Sequence, residues 1–278
     1  MAFTYSLISR ADFLKAAERL GVSLAVIKAV AAVEGRGSGF INGTDLPKIL
    51  FEGHHFSRLT GGVFDHKAPS ISYPKWTTKN YRNETGEYAR LKTAIELNHN
   101  VPDPALQSAS WGMFQIMGFN HRDAGYSTVT EFVDWMSMGE DYHLEAFVSF
   151  IEAKKLGDEL RSGKWADFAL RYNGRDYAKN KYDTKLAQEF RKHSMIAQEE
   201  AGKGTFALER GDLAGLQAAL NIAIDAGLAT DGWIGPKTQT AIRKFQSSNG
   251  MPQTGEIDAA LCAALDVDCS HYLNTVGA

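Results

Sequence analysis

The sequence predicts a mainly α protein in two parts: a helical domain carrying a small β-lobe, then a small three-helix bundle. Three observations predict it. Helical periodicity dominates the chain. One irregular stretch, residues 40–83, is rich in Gly, Pro, Ser, Thr and aromatics, with short β-like pieces such as "KILFEG". Periodicity is then lost at "AGKGT", residues 201–205, before short helical patterns resume. The expected division is 1–200, a linker over 201–207, and 208–278. At 278 residues and 44% hydrophobic content, two globular cores are comfortable.

In order along the chain, Ser9 with Asp12 forms a capping-box signature for a helix that stops at Gly21. Ser23 is placed to cap the next helix, "LAVIKAVAAVE". The 40–83 lobe follows. Helical patterns return at "ETGEYARLKTAIELN", break at Pro102 and Pro104, and resume in "SWGMFQIMGFN", "TEFVDWMSMG" and "DYHLEAFVSFIEAKKLG". "WADFALRYNG" and "AKNKYDTKLAQEFRKHSMIAQEE" are the last helices of the first part. In the second, "DLAGLQAALNIAI", "PKTQTAIRKFQSSNG" and "EIDAALCAAL" predict three short helices. Asp231-Gly232 and Gly235 make tight turns, Pro236 suits a first helical turn, and Ala241, Ile242 and Phe245 face inward.

The net charge is −3, unevenly spread: residues 206–278 hold four Lys/Arg against eight Asp/Glu. An acidic module argues against a nucleic-acid partner. No stretch has the length and apolarity of a membrane span, so membrane insertion is not expected. The N-terminal residues lack the pattern of a secretory signal, which implies synthesis and accumulation in the cytoplasm. Cys262 and Cys269 fit neither a zinc nor a redox spacing, so free thiols are expected, with a disulfide left open for an oxidising compartment.

The chemistry centres on "VEGRGSGF". Taking about 100° per residue, Glu34 falls between Ile27 and Val30, inside the apolar arc of its helix. Burial and the negative end of the helix dipole both favour a neutral carboxyl, and the glycines that follow let the chain turn away. That is what a general acid for glycoside cleavage requires. The alternative is a frayed helix end with Glu34 in water. Glu52 in "ILFEGHHF" is the preferred second carboxylate. Asp45 in "NGTDLP" competes with it, and reads equally as a turn residue before Pro47. His54 and His55 lack further ligands at metal spacing, so no metal and no cofactor is expected.

Glu34, the S-x-G-x-x-Q-I segment in "SASWGMFQIMG" and the late Y-N-G of "FALRYNG" occur here in a fixed order. In that order they resemble the lysozyme-like superfamily of goose-type lysozymes and soluble lytic transglycosylases. Residues 10–200 look more closely like the N-acetylmuramidase domain of modular bacteriophage endolysins. The resemblance implies a lysozyme-like α+β domain in which Glu34 is the proton donor. Ser110 and Gln115 would line the cleft. Tyr172 and Asn173 would contact the acid or substrate. Residues 208–266, with "LQAALN" and "DGWIGPKTQTAIRKFQ", resemble the peptidoglycan-binding three-helix domain. There the D-G-W-I-G turn, with Trp233 as a stacking face, would meet the wall.

The resulting expectation is a monomeric muramidase acting on bacterial peptidoglycan. It would cut the β-1,4 bond between N-acetylmuramic acid and N-acetylglucosamine during host lysis, reaching the wall from the cytoplasm through a holin-made hole. A lytic transglycosylase giving anhydro ends, and an inactive wall-binding structural protein, are the alternatives.

Overall fold

The computed structural model describes residues 5–35, 37–99, 101–203 and 208–267. Helix α1 (Arg10–Leu20) starts at the Ser9–Asp12 capping box and ends at Gly21, whose left-handed φ of 63° suits a residue without Cβ. Helix α2 (Leu24–Glu34) follows. Ser23 is its N-cap by position but makes no side-chain capping bond. A helix that is apolar nearly all round belongs inside a protein. Ile27, Ala29 and Val30 are accordingly fully buried, with α1 on one side and the long helix α10 (Tyr182–Lys203) on another.

The β-lobe is built on a three-stranded antiparallel sheet: β1 (Ile49–Phe51), β2 (Ala109–Trp111) and β3 (Ile116–Met117). Ile49 pairs with Trp111, Phe51 with Ala109, and Trp111 again with Ile116. "SWGMFQIMGFN" is therefore a hairpin running into a 3-10 turn at Gly118–Asn120, not the helix its spacing predicts. The cause is tertiary. Gly112 and Gln115 take left-handed φ values of 71° and 50°, and the turn between them is buried against His143. Its apolar residues face the core from a loop.

Helices α3 (Gly53–Leu59), α4 (Glu84–Leu97) and α5 (Asp103–Gln107) frame this sheet. On α4, Glu87 and Arg90 form a buried ion pair that clamps β1: Glu87 Oε2 accepts from Phe51 N–H at 3.0 Å, and Arg90 donates to Phe51 O at 2.8 Å. Helices α6 (Val129–Met136), α7 (Glu140–Ala153), α8 (Gly157–Arg161) and α9 (Trp165–Asn173) complete the domain around Phe132, Phe147, Ile151 and Phe168. Helix α10 continues to Lys203, so the first residues of the expected linker are helical. Among the described residues no helix is long and apolar enough to cross a membrane.

The C-terminal module is a three-helix unit: α11 (Arg210–Ile224), α12 (Pro236–Ser248) and α13 (Ala259–Ala264), packed around Leu216, Leu220, Ile242, Phe245 and Leu261. Pro236 opens α12, and Ala241, Ile242 and Phe245 are buried as expected. Two glutamines staple its turns. Gln217 donates to Asp231 Oδ1 and Trp233 O and accepts from Gly232 N–H, while Gln246 accepts from Gly255 N–H and donates to Thr254. Cys262 is disulfide-bonded, which corrects the free thiol expected for it; Cys269 lies outside the described residues. The module docks on the first domain. Lys28 of α2 pairs with Glu209, Ile8 O accepts from Gly211 N–H at 3.0 Å, and Asp212 Oδ2 accepts from Arg10 N–H at 3.1 Å.

Candidate active site

Glu34 is the last residue of α2 and only 8% exposed. The helix places it among apolar neighbours, as its angular position requires. Two of the glycines that follow do more than turn the chain. A Cβ on Gly35 would come within 2.9 Å of Met113 Cγ, and one on Gly39 within 2.3 Å of His143 Nδ1. They let the 112–115 hairpin close down beside the acid. Asn173 helps to orient the carboxyl: its Nδ2, at the end of α9, lies 3.0 Å from Glu34 Oε1.

Glu34, Gln115, Tyr172, Asn173, Asn120 and Tyr182 are among the residues lining one cleft of about 280 Å³. Four of the residues singled out in the sequence are thus brought together. Tyr172 donates to Phe114 O at 3.1 Å and stacks on Phe168. Burial first, and then the charge of Glu34, push its phenol far above the usual range, so Tyr172 serves as a neutral wall. Gln115 is spent on its own loop: Nε2 donates to Gly112 O (2.9 Å) and Lys48 O (3.3 Å), and Oε1 accepts from Ser110 Oγ (2.8 Å). Its left-handed backbone is locked by these bonds. Ser110 is buried beneath Gln115 and is not among the residues lining the cleft.

Glu52 belongs to a second cluster. Both of its oxygens accept from the Tyr81 hydroxyl, at 2.9 and 2.8 Å, and His54 Nδ1 lies 3.3 Å from Oε2. Burial, then the hydrogen bond to Glu52, push the Tyr81 phenol up; a hydrogen bond to Trp76, itself 64% exposed, acts the other way. The His54 and His55 rings meet tilted, with centroids 4.0 Å apart, and His55 packs edge-on to Phe119. Burial, reinforced by the charges of His54 and Arg58, lowers the His55 pKa to about 4, so it is neutral near pH 7. Glu52 is not among the residues lining the Glu34 cleft. Asp45 is exposed in a turn closed by Ile41 N–H to Leu46 O at 2.8 Å. Among the described residues, no group of three His, Cys, Asp or Glu could hold a metal.

In the C-terminal module Trp233 is 65% exposed, and the Arg210 guanidinium lies 5.2 Å from its ring centroid. The aromatic face that the sequence reserved for the wall is at the surface rather than in the core.

Sequence reasoning missed Asn120, Tyr182, Tyr81 and His143. Asn120 and Tyr182 reach the cleft only through the fold, Tyr81 and His143 work through partners remote in the chain, and none stands in a local pattern. A family model described as N-acetylmuramidase matches residues 23–194, and one for a peptidoglycan binding domain matches residues 209–265. Among solved structures, a Burkholderia AP3 phage endolysin aligns with a TM-score of 0.62 and 43% identity. The alignment covers 67% of this chain and 70% of that one. A search of curated proteins finds no match.

Proposed function

Because this chain belongs to the N-acetylmuramidase family and is a peptidoglycan-hydrolysing endolysin, we propose that Glu34 is the proton donor in its cleavage chemistry. The bond is the β-1,4 linkage from N-acetylmuramic acid to N-acetylglucosamine, and the outcome is lysis of a bacterial host. The observation that carries this reading is the near-complete burial of Glu34 at the end of α2, in a cleft where Asn173 fixes its orientation.

We assign the cycle the following steps. Glu34 gives its proton to the glycosidic oxygen, the bond from that oxygen to the muramic C1 breaks, and the glucosamine leaves with a free hydroxyl. Positive charge develops at C1. Water adds there, and its proton passes to the Glu34 carboxylate, which restores the acid. We assign one carboxylate to this cycle. Glu52, with both oxygens held by Tyr81, organises the lobe that forms a wall beside the cleft. Asn173 orients Glu34 and Tyr172 walls the cleft beside it, while Gln115 and Ser110 hold the hairpin that closes over it. Trp233 offers the C-terminal module an aromatic face for the wall polymer.

Digestion of purified peptidoglycan followed by mass spectrometry tests the reading. Water-derived reducing muramic ends are expected. Ends lighter by one water mean transglycosylation, new reducing glucosamine ends refute the bond assignment, and no release at all leaves only a binding protein. Glu34→Gln abolishes cleavage, by about a hundred-fold or more, while sedimentation with intact wall is unchanged.

A further inference from the structure

The C-terminal module carries a groove of about 400 Å³ between the end of α11 and the face of α12, away from the D-G-W-I-G turn. Ile224, Leu228 and Ala241 give it an aliphatic floor, and no aromatic ring is among its lining residues. Rings of sugars are usually met by aromatic faces, and the exposed one in this module, Trp233, lies outside the groove. The lining instead suits small aliphatic side chains.

The charges narrow the occupant. Residues 206–278 hold only four Lys/Arg against eight Asp/Glu. Arg210 is committed to Trp233 and Asp231, and Arg243 lies over the Gly255 turn. The remaining two cations, Lys237 and Lys244, both line the groove, two turns apart on one face of α12. Both are exposed, and neither makes an ion pair among the described residues. Lys237 also sits in the first turn of α12, where the helix dipole disfavours a cation. A bound anion relieves that conflict. Across from them, Asp225 closes α11 in a left-handed conformation and presents a carboxylate to the same groove.

We propose that this groove binds the stem peptide of peptidoglycan: methyl-sized side chains on the floor, backbone or terminal carboxylates on Lys237 and Lys244, and a free ammonium on Asp225. The inference rests on the wall being the polymer this chain acts on. It makes the module a peptide reader, with the glycan left to the catalytic domain and to Trp233.

The test uses the full chain carrying Glu34→Gln, so that the wall is not digested. The parent sediments with intact sacculi, and free stem tetrapeptide releases it whereas chito-oligosaccharide does not. Lys237→Glu with Lys244→Glu weakens sedimentation at least about ten-fold, as expected for two charge-assisted contacts. Because both side chains are exposed, an unchanged circular dichroism spectrum and melting temperature identify a binding effect. Asp225→Asn, which keeps an αL-tolerant residue, weakens binding too, although removing a negative charge would strengthen attraction to a plain anion. Full binding by the lysine pair variant, or equal binding to glycan strands stripped of peptide by an amidase, overturns the proposal while leaving the wall reading intact. Failure of the parent to sediment with any sacculi overturns both.

Discussion

His143 gives the sharpest quantitative prediction. It is 1% exposed, at the centre of the catalytic domain, with Gly39 and Gly112 packed against its ring. Its Nδ1 accepts from Met113 N–H at 3.1 Å, so the ring proton must be on Nε2, which donates to Met136 O at 2.7 Å. A second proton would break the bond to Met113 and put a charge in the core. Burial lowers the pKa to about 4 from the ordinary 6.5. In the unfolded chain the imidazole takes up its proton near pH 6.5, whereas in the folded chain it does so only near pH 4. Between those values the unfolded state binds more protons, so stability rises with pH. The contribution is complete above about pH 6.5 and is lost as pH falls through the window towards 4. A shift of that size corresponds to roughly 3 kcal/mol. Glutamine offers an acceptor and a donor but does not titrate. Urea unfolding of the parent and His143→Gln, followed by near-UV circular dichroism at steps from pH 7 to 4, isolates this one group. The stability difference between them shifts by roughly 3 kcal/mol across that range, in the variant's favour at low pH. A difference that stays constant with pH refutes the assignment of a neutral, buried imidazole.

Gly39→Ala places a methyl within 2.3 Å of His143 Nδ1 and 3.0 Å of Met113 N; a loss of about 2–3 kcal/mol in urea unfolding is expected, and a neutral result denies the close approach. Asn173→Ala removes a bond that orients the Glu34 carboxyl; kcat on soluble wall fragments falls about ten-fold with KM little changed, and a pure KM effect reassigns Asn173 to substrate binding. Glu52→Gln retains cleavage within about ten-fold, because glutamine still accepts from Tyr81. A loss as deep as that of Glu34→Gln would make Glu52 a second catalytic carboxylate.

Elements whose signals are local are legible in the sequence. The Ser9–Asp12 box, Gly21 and Pro236 each act within one helical turn, and each marks its boundary as expected. The apolar ring of α2 foretold burial, and with it the setting of Glu34. The hairpin at 109–117 was not legible. Trp111, Met113, Phe114 and Ile116 have helix-like spacing, and what turns them into a loop is His143, thirty residues on. The same distance effect hid the β-lobe cluster: nothing near Glu52 in the chain announces Tyr81. Asn173 was visible only through the Y-N-G resemblance, and the glutamines of "LQ" and "FQ" looked like family markers until their bonds to the two turns appeared.

The contact between Lys28 and Glu209 joins the wall-binding module to the same helix that ends in Glu34. Six residues of α-helix, about 9 Å, separate that contact from the carboxyl proposed as the proton donor. Module and cleft are therefore coupled like the two jaws of a calliper, held in register by a contact on one helix as well as by the chain that joins them. Along a glycan strand, cuts should fall at a preferred offset from each anchored site, leaving a periodicity in fragment lengths that a loosely tethered enzyme would blur.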